Sequence, residues 1–118
     1  DSGDQKLTQA EGGGAVSLTY TTQVDIDLSD EQAALYFANP SKSNQDMVVQ
    51  LVIRDTVVIQ SGRLLPGNKG TALGLLEGAE KQLAAGGYEG KFVILYYQQD
   101  TGEKAVVNTE IPVTVTVQ

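Results

Sequence analysis

The chain has no histidine, no cysteine and no tryptophan, and only three prolines. Without cysteine it has no disulfide, no thiolate-ligated zinc and no thiol nucleophile. Without histidine it lacks the commonest general base near neutral pH and the commonest transition-metal ligand. These absences close off most familiar enzyme chemistry, although a missing cysteine does not by itself fix a compartment. Basic residues are scarce too: eight Lys and Arg stand against fifteen Asp and Glu, for a net charge of −7. No basic stripe exists to neutralise phosphates, so nucleic acid is not expected as a partner. No apolar run approaches the ~20 residues a membrane helix needs. No charged, then apolar, then small-residue signal segment opens the chain.

What is present is enough for one domain. The 118 residues are 41% hydrophobic and 19% charged, outside the regime of disordered chains. A chain of this size buries roughly two-thirds of its unfolded surface around a single core. The opening stretch is polar as far as Glu11 and continues through Gly12, Gly13 and Gly14. Residues 1–14 therefore read as a flexible leader cut from something longer, or equally as an arbitrary starting point, with the domain over 15–118.

Periodicity gives the fold class. Val16, Leu18, Tyr20, Val24, Ile26 and Leu28 alternate with polar residues, the period-two signature of a strand with one face on a core. Leu35–Ala38 is a second apolar run, stopped by Asn39, Pro40 and Ser41. Met47–Ile53 and Val57–Gln60 form the clearest hairpin. Thr71–Leu76 reads as a weaker strand and Glu77–Ala85 as a short helical connection, bounded by Gly78, Gly86 and Gly87. Tyr88–Tyr97 is the most apolar strand and belongs in the centre of a sheet. A turn at Asp100–Glu103, with Gly102 suited to positive φ, leads to Ile111–Val117, where Pro112 predicts an edge or a bulge. About seven antiparallel strands with regular turn signals predict an all-β, immunoglobulin-like β-sandwich with Greek-key connections and one short helical turn. Val16–Leu28 and Ile111–Val117 are the candidate edges, and a monomer is expected.

Few residues suggest chemistry. Gly86-Gly87-Tyr88-Glu89-Gly90 resembles the tyrosine corner of immunoglobulin-like sandwiches, with Gly90 where antibody domains place a cysteine. The alternative is an ordinary core-facing tyrosine. Asp25, Asp27, Asp30 and Glu31 form the best carboxylate cluster for Ca²⁺, but the spacing matches no EF-hand loop and an acidic chain scatters carboxylates over solvated faces. No catalytic, cofactor-binding or metal-binding residue is assigned, and no enzyme activity or cofactor is expected. Tyr36 beside Phe37, and Tyr96 beside Tyr97, must each send one ring outward. An outward ring such as Tyr97 can stack on a sugar or anchor a partner, although packing on the sheet surface is the commoner outcome.

The turn and corner residues Asn39-Pro40, Pro66-Gly67, Gly86 to Tyr88 and Thr101-Gly102, within Leu35 to Val117, are similar to those of small domains from Gram-positive bacterial cell-envelope proteins. The resemblance implies an immunoglobulin-like fold and no catalytic residue. It also implies an extracellular module anchored at the N-terminus through a hydrophobic segment or lipid-modified cysteine that this sequence does not contain. The expected function is thus a non-enzymatic binding or structural module of the cell surface, with a protein or cell-wall polymer as its partner. The alternative is a carbohydrate-binding module using exposed tyrosines.

Overall fold

The computed structural model describes residues 4–9, 16–106 and 108–118. They form β1 (Asp4–Gln9), β2 (Val16–Thr21), β3 (Gln23–Asp27), β4 (Gln32–Ala38), β5 (Gln45–Ile53), β6 (Thr56–Gln60), β7 (Lys69–Gly74), β8 (Gly86–Gln98) and β9 (Thr109–Val117). A 3-10 turn at Ala79–Gln82 lies within the expected helical connection. The protein is all-β.

Hydrogen bonding joins the strands in the order β1-β2-β4-β3-β9-β8-β5-β6, with β7 on β4. β6 and the chain just beyond β7 approach each other: Ile59 bridges Leu75, and the Leu76 N–H donates to the Val58 carbonyl at 2.9 Å. The apolar alternation becomes the interior. Leu18, Val24, Ile26, Phe37, Met47, Phe92, Ile94, Tyr96 and Val115 are all buried in one core. Each large side chain fully removed from water contributes about 1.5–3 kcal/mol before entropy is counted. As expected for the most apolar strand, β8 lies between β5 and β9, and Val93 is buried as well as Phe92 and Ile94.

Two expectations about the first long strand are corrected. Val16–Leu28 breaks at Thr22 into β2 and β3. Tyr20 lies opposite Phe37, yet Asp25, five residues further on, lies opposite Ala34, only three residues back. The surplus is absorbed where the Thr21 hydroxyl accepts the Tyr36 N–H at 3.1 Å and the Thr22 carbonyl accepts the Thr114 N–H at 2.8 Å. This segment is also no edge, since β2 is flanked by β1 and β4, and β3 by β4 and β9.

The expected set of about seven antiparallel strands is corrected in the same way. Nine strands are present among the described residues, and β3 pairs with β9 in parallel, making the sheet mixed. A parallel neighbour needs a long crossover, and here nearly the whole domain supplies it. Within 1–14, Asp4–Gln9 form β1, antiparallel to β2. The rest of that segment lies outside the described residues.

Pro112 behaves as its chemistry requires. β9 pairs with β8 from Thr109 to Val117, and among the described residues its pairing with β3 covers Thr114 to Val117. Because the Thr114 N–H points to the β3 side, strand alternation directs the backbone nitrogen of Pro112 to that side as well, where the pairing with β3 does not reach. Its missing donor is therefore not demanded by a neighbour.

Candidate functional site

The glycine–tyrosine corner is built as the sequence suggests. After the 3-10 turn the chain passes Leu83 and Ala84, and the Tyr88 hydroxyl turns back on Ala84. It accepts the Ala84 N–H at 2.9 Å and donates to the Ala84 carbonyl at 3.1 Å. Two residues on, Gly90 sits in β8 where a side chain has no room. A Cβ built there lies 2.9 Å from the Val52 carbonyl oxygen and 3.3 Å from Ile53 Cγ1. The absent side chain is thus what lets the strands close. The Arg54 guanidinium stands 5.1 Å from the Tyr88 ring centroid, tying the β5–β6 turn to the corner.

The carboxylate cluster is engaged locally. Asp27 Oδ1 accepts the Ser29 hydroxyl at 2.6 Å and the Ser29 N–H at 2.9 Å, with the Asp30 N–H at 3.4 Å. These donors, the Ser29 hydroxyl first, hold its carboxyl below the usual aspartate range. Asp25 Oδ1 accepts from Gln23 Nε2 at 3.0 Å. Glu31 has a φ of 55° and contributes its backbone carbonyl to the Leu75 N–H. An open depression of about 260 Å³ runs past Asp25, Asp27, Asp30, Gln32 and Ala34. Among the described residues no three carboxylates are grouped to hold a metal ion. Asp27 acts as the acceptor of a β3–β4 turn.

The paired aromatics divide as strand geometry demands. Phe37 and Tyr96 enter the core, where the Tyr96 hydroxyl lies 2.7 Å from Thr109 Oγ1 and burial pushes its pKa up. Tyr36 and Tyr97 are half-buried on the outer faces. Each has a cation over its ring: Lys69 Nζ lies 6.0 Å from the Tyr36 centroid and the Arg63 guanidinium 4.4 Å from that of Tyr97.

The arrangement around Arg63 escaped sequence reasoning. Arg63 Nε lies 3.3 Å from Asp46 Oδ2, while Asp46 Oδ1 accepts from Gln99 Nε2 at 3.1 Å. These residues come from β5, the β6–β7 connection and the β8–β9 loop, and register alone places Asp46 opposite Tyr97. Nearby, Asn39 is a second knot. Its side-chain amide donates to the Gln45 and Leu64 carbonyls, both at 2.8 Å. In the sequence it signals only the end of a strand.

None of these clusters pairs a nucleophile with a base. They join loops to strands and cover rings. Comparison of the chain with protein-family models and with curated protein sequences finds no match.

Proposed function

We propose that the chain is a non-enzymatic, immunoglobulin-like module of a bacterial cell-surface protein, acting by binding or as a structural part of a surface assembly. The observation that carries the fold half of this reading is the Tyr88 hydroxyl folded back on Ala84, with Gly90 two residues on, the corner known in such sandwiches. The strand connections agree: β4 lies between β3 and β7, and β8 between β5 and β9. The envelope half rests on the resemblance of the Asn39-Pro40, Pro66-Gly67 and Thr101-Gly102 turns to those of Gram-positive surface domains.

Carbohydrate binding through outward tyrosines is the weaker reading. A sugar stacks on a free ring face, and Lys69 and Arg63 stand over Tyr36 and Tyr97. Silence on a glycan array would remove it.

The deciding experiment is protease shaving of intact cells that express the full-length native protein, with mass spectrometry of the released peptides. Release of peptides from this domain, with an anchored remnant, supports the surface module and directs the ligand search to wall polymers and surface proteins. Full protection, with the protein recovered in the cytosol, removes the envelope location and leaves the fold reading to stand alone.

A further inference from the structure

A strand from the early part of the chain and the last strand lie side by side and run in the same direction. β3 and β9 pair in parallel from Gln23 opposite Thr114 to Ile26 opposite Val117. The other pairings among the described strands are antiparallel. Backbone bonds extend this join at both ends. The Thr114 N–H donates to the Thr22 carbonyl at 2.8 Å, the Gln118 N–H to the Ile26 carbonyl at 2.9 Å, and the Leu28 N–H to the Gln118 carbonyl at 2.9 Å. On the inner face Val24, Ile26, Val115 and Val117 are at most 2% exposed, so water does not reach the ladder from that side to compete for its bonds. On the outer face Gln23 Nε2 donates to Thr116 Oγ1 at 3.0 Å.

Direction decides how such a join yields. The chain enters β3 at Gln23 and leaves β9 beyond Val117, at opposite ends of the paired segment. Tension along the chain therefore draws the two strands past each other, and the bonds of the ladder share the load instead of opening in turn. What precedes β3 does not divert it. β2 continues into β3 through Thr22, and β1, with Asp4 opposite Thr21, peels from β2 one bond at a time when drawn from its first residue.

We propose that the domain is a load-bearing module, with the β3–β9 ladder as its mechanical clamp. The role deepens the structural arm of the proposed surface module and rests on it for the source of the load. The clamp itself depends on the strand topology alone.

The test is single-molecule force spectroscopy on the purified full chain, which has no cysteine of its own and so accepts one at a chosen position. In one arrangement the handles are attached at the two ends of the chain. In the other, one handle stays at the C-terminal end and the second is attached through Asp30→Cys, in the exposed β3–β4 turn. Asp30 and Gln118 lie at the same end of the paired segment, so this arrangement opens the ladder bond by bond. At one loading rate the end-to-end arrangement is expected to rupture at about twice the force or more, since forced unfolding is governed by the barrier and not by net stability. That rupture should release the chain from Gln23 to Val117 in a single step, a gain of roughly 300 Å at ~3.3–3.6 Å per residue. Thr116→Pro removes a donor that, by alternation with Thr114 and Gln118, points at β3, and it should bring the two forces together. Equal forces in the natural chain overturn the proposal. So does a main rupture that releases a much shorter length, or a Thr116→Pro chain that folds and keeps the difference. The outcome is separable from that of protease shaving: a weak clamp in a surface-exposed protein overturns the load-bearing role and leaves the surface module standing, whereas a strong clamp in a protein recovered from the cytosol supports the clamp while the surface module falls.

Discussion

Asn39 offers a sharp test of how the loops at one end of the sheet are held. It is 1% exposed and stands where β4 ends, with its backbone joined to the β6–β7 connection: its N–H donates to the Asn68 carbonyl at 2.9 Å and its carbonyl accepts the Gly67 N–H at 2.8 Å. Asn39→Ala leaves both of those bonds and removes the two side-chain donations to Gln45 and Leu64. Neither carbonyl is orphaned, since Gln45 keeps the Ser43 hydroxyl and Leu64 keeps the Met47 N–H. The loss therefore falls at the net value of a buried hydrogen bond, about 1 kcal/mol each, rather than at the larger penalty for an unmet group. The space left by the amide adds ~1 kcal/mol. Asn39 Oδ1 is itself buried without a partner, and removing it offsets a similar amount.

The expected destabilisation is thus about 2 kcal/mol, which for a domain of this size lowers the melting temperature by roughly 6–10 °C. Asn39→Asp should be worse than alanine, because a carboxylate turns an oxygen toward two carbonyl oxygens instead of a donor. Thermal unfolding followed by circular dichroism at neutral pH, with urea titration to confirm two-state behaviour, measures both variants. A shift under about 2 °C for Asn39→Ala, or an aspartate variant as stable as the alanine one, refutes the amide as the tie between these segments.

Three other outcomes are expected. Gly90→Ala forces a methyl against the Val52 carbonyl at 2.9 Å, where backbone must yield; a loss of at least about 1–3 kcal/mol in urea unfolding is expected, and none would show that the strands part easily. Tyr88→Phe removes both bonds to Ala84 while keeping the ring beneath Arg54, so stability should fall by about 1 kcal/mol with the fold unchanged by circular dichroism. For Asp27 the sign follows from a pKa held below the ordinary 3.8: its contribution is present above the unfolded-state value and is lost as pH falls through the folded-state one. Asp27→Asn should therefore show a shallower loss of stability than the natural chain on acidification below about pH 4, and parallel acid limbs would contradict the assignment.

Where an element is set by its own alternation, the sequence reads correctly. The neighbours Tyr36 and Phe37, and Tyr96 and Tyr97, divide between solvent and core because successive strand residues point to opposite faces. Gly102, at φ 76°, turns the chain after β8 because only a residue without Cβ enters that region freely. The candidate residues fared differently. The spacing of Asp25, Asp27 and Asp30 is visible, but whether carboxylates converge depends on what else their oxygens accept. Ser29, two residues beyond Asp27, takes up that oxygen. The Arg63–Asp46–Tyr97 cluster has no local signature, because its members are brought together only by the pairing of β5 with β8 and by the loop after β6.

The break at Thr22 explains why the sheet's connectivity stayed hidden while its strands did not. A period-two pattern is satisfied by any partner on either side, so the run from Val16 to Leu28 looks continuous whether it has one neighbour or several. What divides it is a change of partner: β1 flanks β2, and the strand at the far end of the chain flanks β3. Both lie on the side away from β4, and passing from one to the other takes the two extra residues between Tyr20 and Asp25. The same switch leaves Ile111–Val113 outside the pairing with β3, which is where Pro112 is tolerated. A proline near the end of the sequence and a strand break near its beginning are therefore two marks of one event, the parting of β2 from β9, and neither could have been read without the other.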